Sequence, residues 1–225
     1  MPNRCLLYYI SDRGQLSGGE NVRCPHLLHK IGAAARAGVD YIQLREKDLT
    51  TRELETLARE AVALVRELRT EHRELRTRLL INSRVDVAIA SGADGVHLRS
   101  DDISPSVVRS IWVEANARAE DAEWRAPLIA VSCHTAAEVE RAASEGADFA
   151  VFAPVFEKRD QPGQPPGGVA ALREACKAKI PVLALGGVTW QNAGSCFDAG
   201  AAGVAGIRLF QEHNIREVVR VVGAL

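Results

Sequence analysis

The chain has 225 residues, which fits one domain and is a usual size for parallel-stranded barrels that fold as a unit. Its 28 basic and 29 acidic residues leave a formal charge of −1, which excludes an overall pull toward nucleic acid or membrane and makes any anion binding local. Cys5, Cys24, Cys133, Cys176 and Cys196 are scattered and lack CxxC spacing, which argues against a disulfide framework or zinc site and for a reduced cytoplasm.

The first apolar run, Cys5 to Ile10, is too short for a signal peptide or a membrane span and reads as strand 1. The polar stretch Ser11 to Pro25 follows as a loop, and helix 1 runs from about His26 to Ala37. In strand 2, Val39, Tyr41, Ile42 and Leu44 lead into polar residues. If the strand continues to Lys47, its two-residue period puts Gln43, Arg45 and Lys47 on one face and Ile42 and Leu44 on the other. Two inward cations need an anion; an ordinary half-exposed strand with a solvated face accounts for the same pattern. Thr50 or Thr51 then caps a long helix in which Leu54, Leu57, Ala61, Leu64, Val65 and Leu68 keep helical spacing.

Six more short apolar runs follow: Leu79 to Asn82, Gly95 to Leu98, Leu128 to Val131, Phe149 to Ala153, Val182 to Leu185 and Gly203 to Ile207. They are apolar on both faces, as parallel strands covered by helices should be. Glu114 to Arg125 reads as an elaborated helix-to-strand connection. Glycines 38, 92, 146 and 200 recur at a constant interval of 54 residues, each closing an alanine-rich stretch and opening an apolar run. A glycine just past a helix supplies the left-handed residue that ends it. Each period holds two strand–helix units, so four periods give eight, and the expected fold is a single (β/α)8 TIM barrel over residues 1–225.

Such a barrel gathers its chemistry at the C-terminal ends of its strands. Those positions hold Asp12, Gln43/Arg45/Lys47, Asn82, Asp102, Ser132/His134, the loop Glu157 to Gly167, Gly186-Gly187 and Gly206. The glycines after strands 7 and 8 suit a phosphate held by backbone amides, and tight turns without a ligand account for them as well. The lone His97 reads as a packed strand histidine rather than a catalyst.

The ordered series Gln43-Leu44-Arg45-Glu46-Lys47, Leu80 to Ala88, Gly92 to Leu98, Ser132-Cys133-His134-Thr135, Gly146 to Phe149, Pro181 to Val188 and Gly200 to Ala205 resembles thiamine phosphate synthase and its TenI-like relatives over nearly the whole chain. The resemblance implies a transferase of thiamine biosynthesis acting on small phosphorylated pyrimidine and thiazole substrates. Diphosphate leaves a hydroxymethylpyrimidine and the nitrogen of a hydroxyethylthiazole phosphate takes its place, with cations and Mg2+ stabilising the leaving group. It further implies that Gln43, Arg45, Lys47 and Asn82 hold the pyrimidine diphosphate, that Ser132 hydrogen-bonds the diphosphate and that Asp102 binds Mg2+. Gly186, Gly187, Gly206 and Ile207 would hold the thiazole phosphate.

Two positions depart from that pattern. Asn82-Ser83-Arg84 stands where synthases usually read Asn-Asp-Arg, so a hydroxyl replaces one expected magnesium carboxylate and the metal would lean on Asp102, the diphosphate and water. After strand 6, Glu157-Lys158-Arg159-Asp160 stands where synthases carry a threonine-rich loop ending in lysine; this loop is read either as a lid or as a plain connection. A TenI-like thiazole tautomerase, with His134 as general acid–base, is the alternative activity, and a non-catalytic binder of thiamine-related phosphates is a third. Gln43, Lys47 and Asp102 put the synthase first.

Overall fold

The computed structural model describes residues 5–117, 126–157 and 166–225. Eight parallel strands close in chain order into a barrel: β1 Leu6–Ile10, β2 Tyr41–Leu44, β3 Arg78–Asn82, β4 Gly95–Leu98, β5 Leu128–Cys133, β6 Phe149–Phe152, β7 Val182–Ala184 and β8 Gly203–Gly206. Around them stand α1 Glu20–Ala37, α2 Thr51–Glu71, α3 Val85–Ser91, α4 Pro105–Ala117, α5 Ala136–Ser144, α6 Gly168–Ala175 and α7 Ala193–Asp198, followed by α8 Arg208–Gln211 and α9 Ile215–Val222. The (β/α)8 expectation holds.

The 54-residue repeat has a physical basis at the closed end of the barrel. Gly38, Gly92, Gly146 and Gly200 all adopt positive φ, between 69° and 99°, where a side chain would be strained. Two residues after the first three of them, Asp40, Asp94 and Asp148 each reach across to the preceding strand. Their carboxylates accept from the amides of Leu7, Leu79 and Ile129 at 2.7–2.9 Å. The fourth copy has Ala202, whose backbone makes the corresponding links to β7 and β1.

Alternation along the strands divides the apolar core in two. Tyr8, Ile10, Leu80, Ala130, Phe149, Val151, Leu183 and Ala205 fill the barrel interior, while a larger cluster including Leu7, Tyr9, Ile42 and Leu44 packs under the helices. Tyr41 stacks on Phe149 at 4.8 Å, and Tyr8 meets both rings edge-on. The floor is therefore plugged, and the opposite end is left for a site.

Some boundaries differ from the sequence reading. Helix α1 begins six residues earlier than expected and runs through Pro25, giving up one amide hydrogen bond there, so the loop after β1 is shorter. Helix α2 is capped by Thr50 with a full capping box to Glu53. Residues 114–117 continue α4; the rest of the expected connection lies outside the described residues. Strand β2 ends at Leu44 rather than Lys47. The alternation nevertheless persists, because Glu46 turns away from the mouth and anchors the β1 loop. Its carboxylate accepts from Ser11 Oγ and from the Arg13 amide.

Candidate active site

Residues at the C-terminal ends of the strands line one cavity of about 570 Å³. Gln43, Arg45, Lys47, Asn82, Ser132, His134, Gly186, Gly187, Gly206 and Ile207 all face it; Asp102 does not. The sequence-selected residues thus come together from β2, β3, β5, β7 and β8, although they are spread over 165 positions of chain.

The β2–β3 side is built from side chains. Gln43 is buried, and its Nε2 donates to Asn82 Oδ1 at 2.8 Å, which orients both amides at the cavity wall. Arg45 and Lys47 sit just past the strand, the first fixed through its own amide, which donates to Ser11 Oγ at 3.0 Å. The Arg45 guanidinium pushes the Lys47 ammonium below the usual lysine range, with desolvation and Arg99 acting in the same direction. Mutual repulsion of cations at a cavity mouth is the electrostatic mark of an anion site.

Across the mouth, the β7–β8 side presents backbone. Gly186 and Gly187 have φ of 94° and 64°. The amides of Gly187, Val188 and Ile207 have no acceptor among the described residues. A Cβ on Gly187 would stand 2.5 Å from the Glu157 carbonyl, so this turn needs glycine with or without a ligand. Unsatisfied amides converging on a cavity form a nest for an anion.

Between these walls, His97 Nε2 lies 2.7 Å from Ser132 Oγ and its Nδ1 lies 2.9 Å from Tyr8 Oη. Burial, then the nearby Arg45 charge, push the imidazole pKa down to about 3, so the ring is neutral. His97 is packed, as the sequence suggested, and it also lines the cavity. His134 Nδ1 donates to the Ala153 carbonyl at 2.6 Å.

Asp102 belongs to a different cluster. Its Oδ2 accepts from Ser83 Oγ and from the Arg99 amide, both at 2.8 Å, while Arg99 Nε lies 3.3 Å from Oδ1. Both oxygens are engaged by donors, and the described residues contain no group of three potential metal ligands. Held by Ser83 and Arg99 and outside the cavity lining, Asp102 is not presented to a substrate phosphate as the one or two carboxylates that hold Mg2+ there would be. Ser83 itself has φ 55°.

Sequence reasoning missed Arg99, Arg208, Glu212 and His213, all of which line the cavity. Arg99 and Arg208 directly follow β4 and the β8 turn, so the strand-end rule would have found them. Lys158 and Arg159 lie outside the described residues, and with them most of the expected lid.

A family model described as thiamine monophosphate synthase matches residues 7–210. The chain belongs to the thiamine monophosphate synthase family. A putative thiamine-phosphate synthase 2 of Aquifex aeolicus is 40% identical over 207 residues, covering 92% of this chain and 97% of that protein. The thiamine-phosphate synthase of Roseiflexus castenholzii is 35% identical over 204 residues, 90% of this chain and 79% of that one. Among solved structures, thiamine phosphate pyrophosphorylase from Pyrococcus furiosus superposes with a TM-score of 0.75 at 26% identity, covering 98% of this chain and 94% of its own. No helix among the described residues is long and apolar enough to cross a membrane.

Proposed function

We propose that this protein is a thiamine-phosphate synthase, coupling hydroxymethylpyrimidine diphosphate to hydroxyethylthiazole phosphate with release of diphosphate. The observation that carries this reading is the pairing of a cationic wall, Arg45 and Lys47, with a nest of open amides at Gly187, Val188 and Ile207 across one cavity. Two anions at opposite sides of one mouth are what a reaction between two phosphorylated substrates needs.

The pyrimidine's exocyclic C–O bond breaks, and its electron pair leaves with the diphosphate. Arg45 and Lys47 hold that charge as it develops, and Ser132 donates a hydrogen bond to it. Gln43 and Asn82, locked to each other, meet the polar edge of the pyrimidine. The resulting benzylic-type cation is captured by the lone pair of the thiazole nitrogen, forming the C–N bond; no protein nucleophile takes part. Gly186, Gly187, Gly206 and Ile207 hold the thiazole phosphate so that the nitrogen faces the carbon, which removes the entropic cost of encounter. Because Asp102 is held by Ser83 and Arg99 away from the cavity, the diphosphate charge falls to Arg45, Lys47 and Ser132. Five free thiols support a reducing cytoplasmic setting.

Purified protein given both substrates, with and without Mg2+, should release thiamine phosphate and diphosphate in equal amounts. No product under either condition would overturn the reading. Metal-independent isomerisation of a carboxythiazole phosphate, lost in His134→Ala, would replace it with the tautomerase. Tight binding with no turnover would replace it with a sensor.

A further inference from the structure

A polar chain crosses the otherwise apolar barrel interior, and its direction follows from what each atom can donate. Tyr8 is fully buried in the barrel interior, where Ile10, Leu80, Phe149, Val151 and Leu183 offer no side-chain acceptor and the Tyr41 ring meets it edge-on without a hydrogen bond. Its hydroxyl has one partner among the described residues, His97 Nδ1 at 2.9 Å. A buried O–H needs an acceptor. If Nδ1 carried the proton, Tyr8 would accept and its own hydrogen would have no acceptor among these residues, which costs more than the bond gains. Tyr8 therefore donates to Nδ1. The neutral ring carries one N–H, which then lies on Nε2 and donates to Ser132 Oγ at 2.7 Å. With one of its lone pairs taken, the Ser132 hydroxyl turns its hydrogen toward the cavity that it lines.

We propose that Tyr8 and His97 are positioning residues that hold Ser132 as a hydrogen-bond donor to the leaving diphosphate. This rests on the synthase reading for the identity of the anion, but the direction of the chain is a property of the protein alone. Neither Tyr8 nor His97 touches the reacting atoms. Their effect is to prevent Ser132 from spending its proton on the imidazole, which would leave only oxygen lone pairs facing an anion. Low basicity of His97 supports the arrangement, since a protonated ring would carry a hydrogen on Nδ1 as well and could not accept from Tyr8.

The test uses the full chain with 15N-labelled histidine and needs no substrate for its first half. Long-range 1H–15N correlation should report His97 protonated on Nε2 in the wild type. Tyr8→Phe should release the lock and give a mixture or the Nδ1 form, while inorganic diphosphate binding, followed by calorimetry, should weaken about tenfold, the scale of one hydrogen bond to a charged group. An Nδ1-protonated ring in the wild type would overturn the proposal, as would Tyr8→Phe that changes neither tautomer nor diphosphate affinity. Should Tyr8→Phe fail to fold, Ser132→Ala serves instead. It should leave Nε2–H in place, because Tyr8 still donates to Nδ1; a shift to Nδ1–H there would overturn the proposal. Failure of the synthase reading alone would appear as an Nε2–H ring in a protein that makes no thiamine phosphate.

Discussion

The two walls of the barrel mouth are built by opposite means. The β2–β3 wall offers long side chains, Arg45 and Lys47, on a base held by Gln43, Asn82 and the Ser11–Glu46 anchor. The β7–β8 wall offers amides at Gly187 and Val188, held by the positive-φ Gly186 and Gly187 packed against the turn after β6, and at Ile207 just past β8. A side-chain wall can be adjusted one charge at a time and responds to salt and pH. A backbone wall carries no titratable group and resists substitution, because changing a residue moves the peptide itself.

The largest effect expected from breaking this comparison comes from Arg45→Ala, which should lower kcat/KM by about 10²–10³-fold, as loss of one preorganised charge stabiliser does. Steady-state kinetics with the pyrimidine diphosphate varied would measure it; a loss under fivefold would remove Arg45 from the diphosphate site. Next is Gly187→Ala, whose Cβ would stand 2.5 Å from the Glu157 carbonyl on a residue at φ 64°. It should raise KM for the thiazole phosphate about tenfold and lower stability by about 1–3 kcal/mol, the cost of a left-handed non-glycine residue with overpacking. A change in KM for the pyrimidine instead would show that the walls are misassigned.

The pH dependence separates the walls more gently. A lysine whose pKa is lowered loses its proton earlier as pH rises, so the basic limb of kcat/KM should lie below that of an ordinary lysine. Lys47→Arg should move that limb upward, because guanidinium stays charged. An unmoved limb would assign it to another group. The smallest effect concerns Ser83. Aspartate tolerates the left-handed conformation found there, and Ser83→Asp would set a second carboxylate beside Asp102. Thermal stability of this variant should rise on adding Mg2+, by about 1.4 kcal/mol with metal at ten times its Kd, and that of the wild type should not. Equal responses would count against Ser83 as the missing ligand.

Legibility differed between the walls as well. The mouth residues of both were found from strand ends and motif order, since a barrel has one place for them. Arg99 directly follows β4 and was legible by the same strand-end rule, but no motif marked it. The pairing of Asp102 with Arg99 and Ser83, in place of a metal-facing carboxylate, depends on a turn whose path no local pattern encodes. His97 read as a core residue and is one, but its bonds to Tyr8 and Ser132 span 89 and 35 positions and have no sequence signature.

The sequence alone determined the barrel. The 54-residue spacing works through local physics, a left-handed glycine ending a helix and, in three of four copies, an aspartate two residues later tying down the neighbouring strand. Backbone conformation and short-range hydrogen bonds leave their mark in the order of residues. Only the tertiary structure decided which mouth residues are aimed at the cavity and which are spent on each other. That choice depends on donors and acceptors brought together by closure of the sheet, and a buried polar atom takes whatever partner the fold puts within reach.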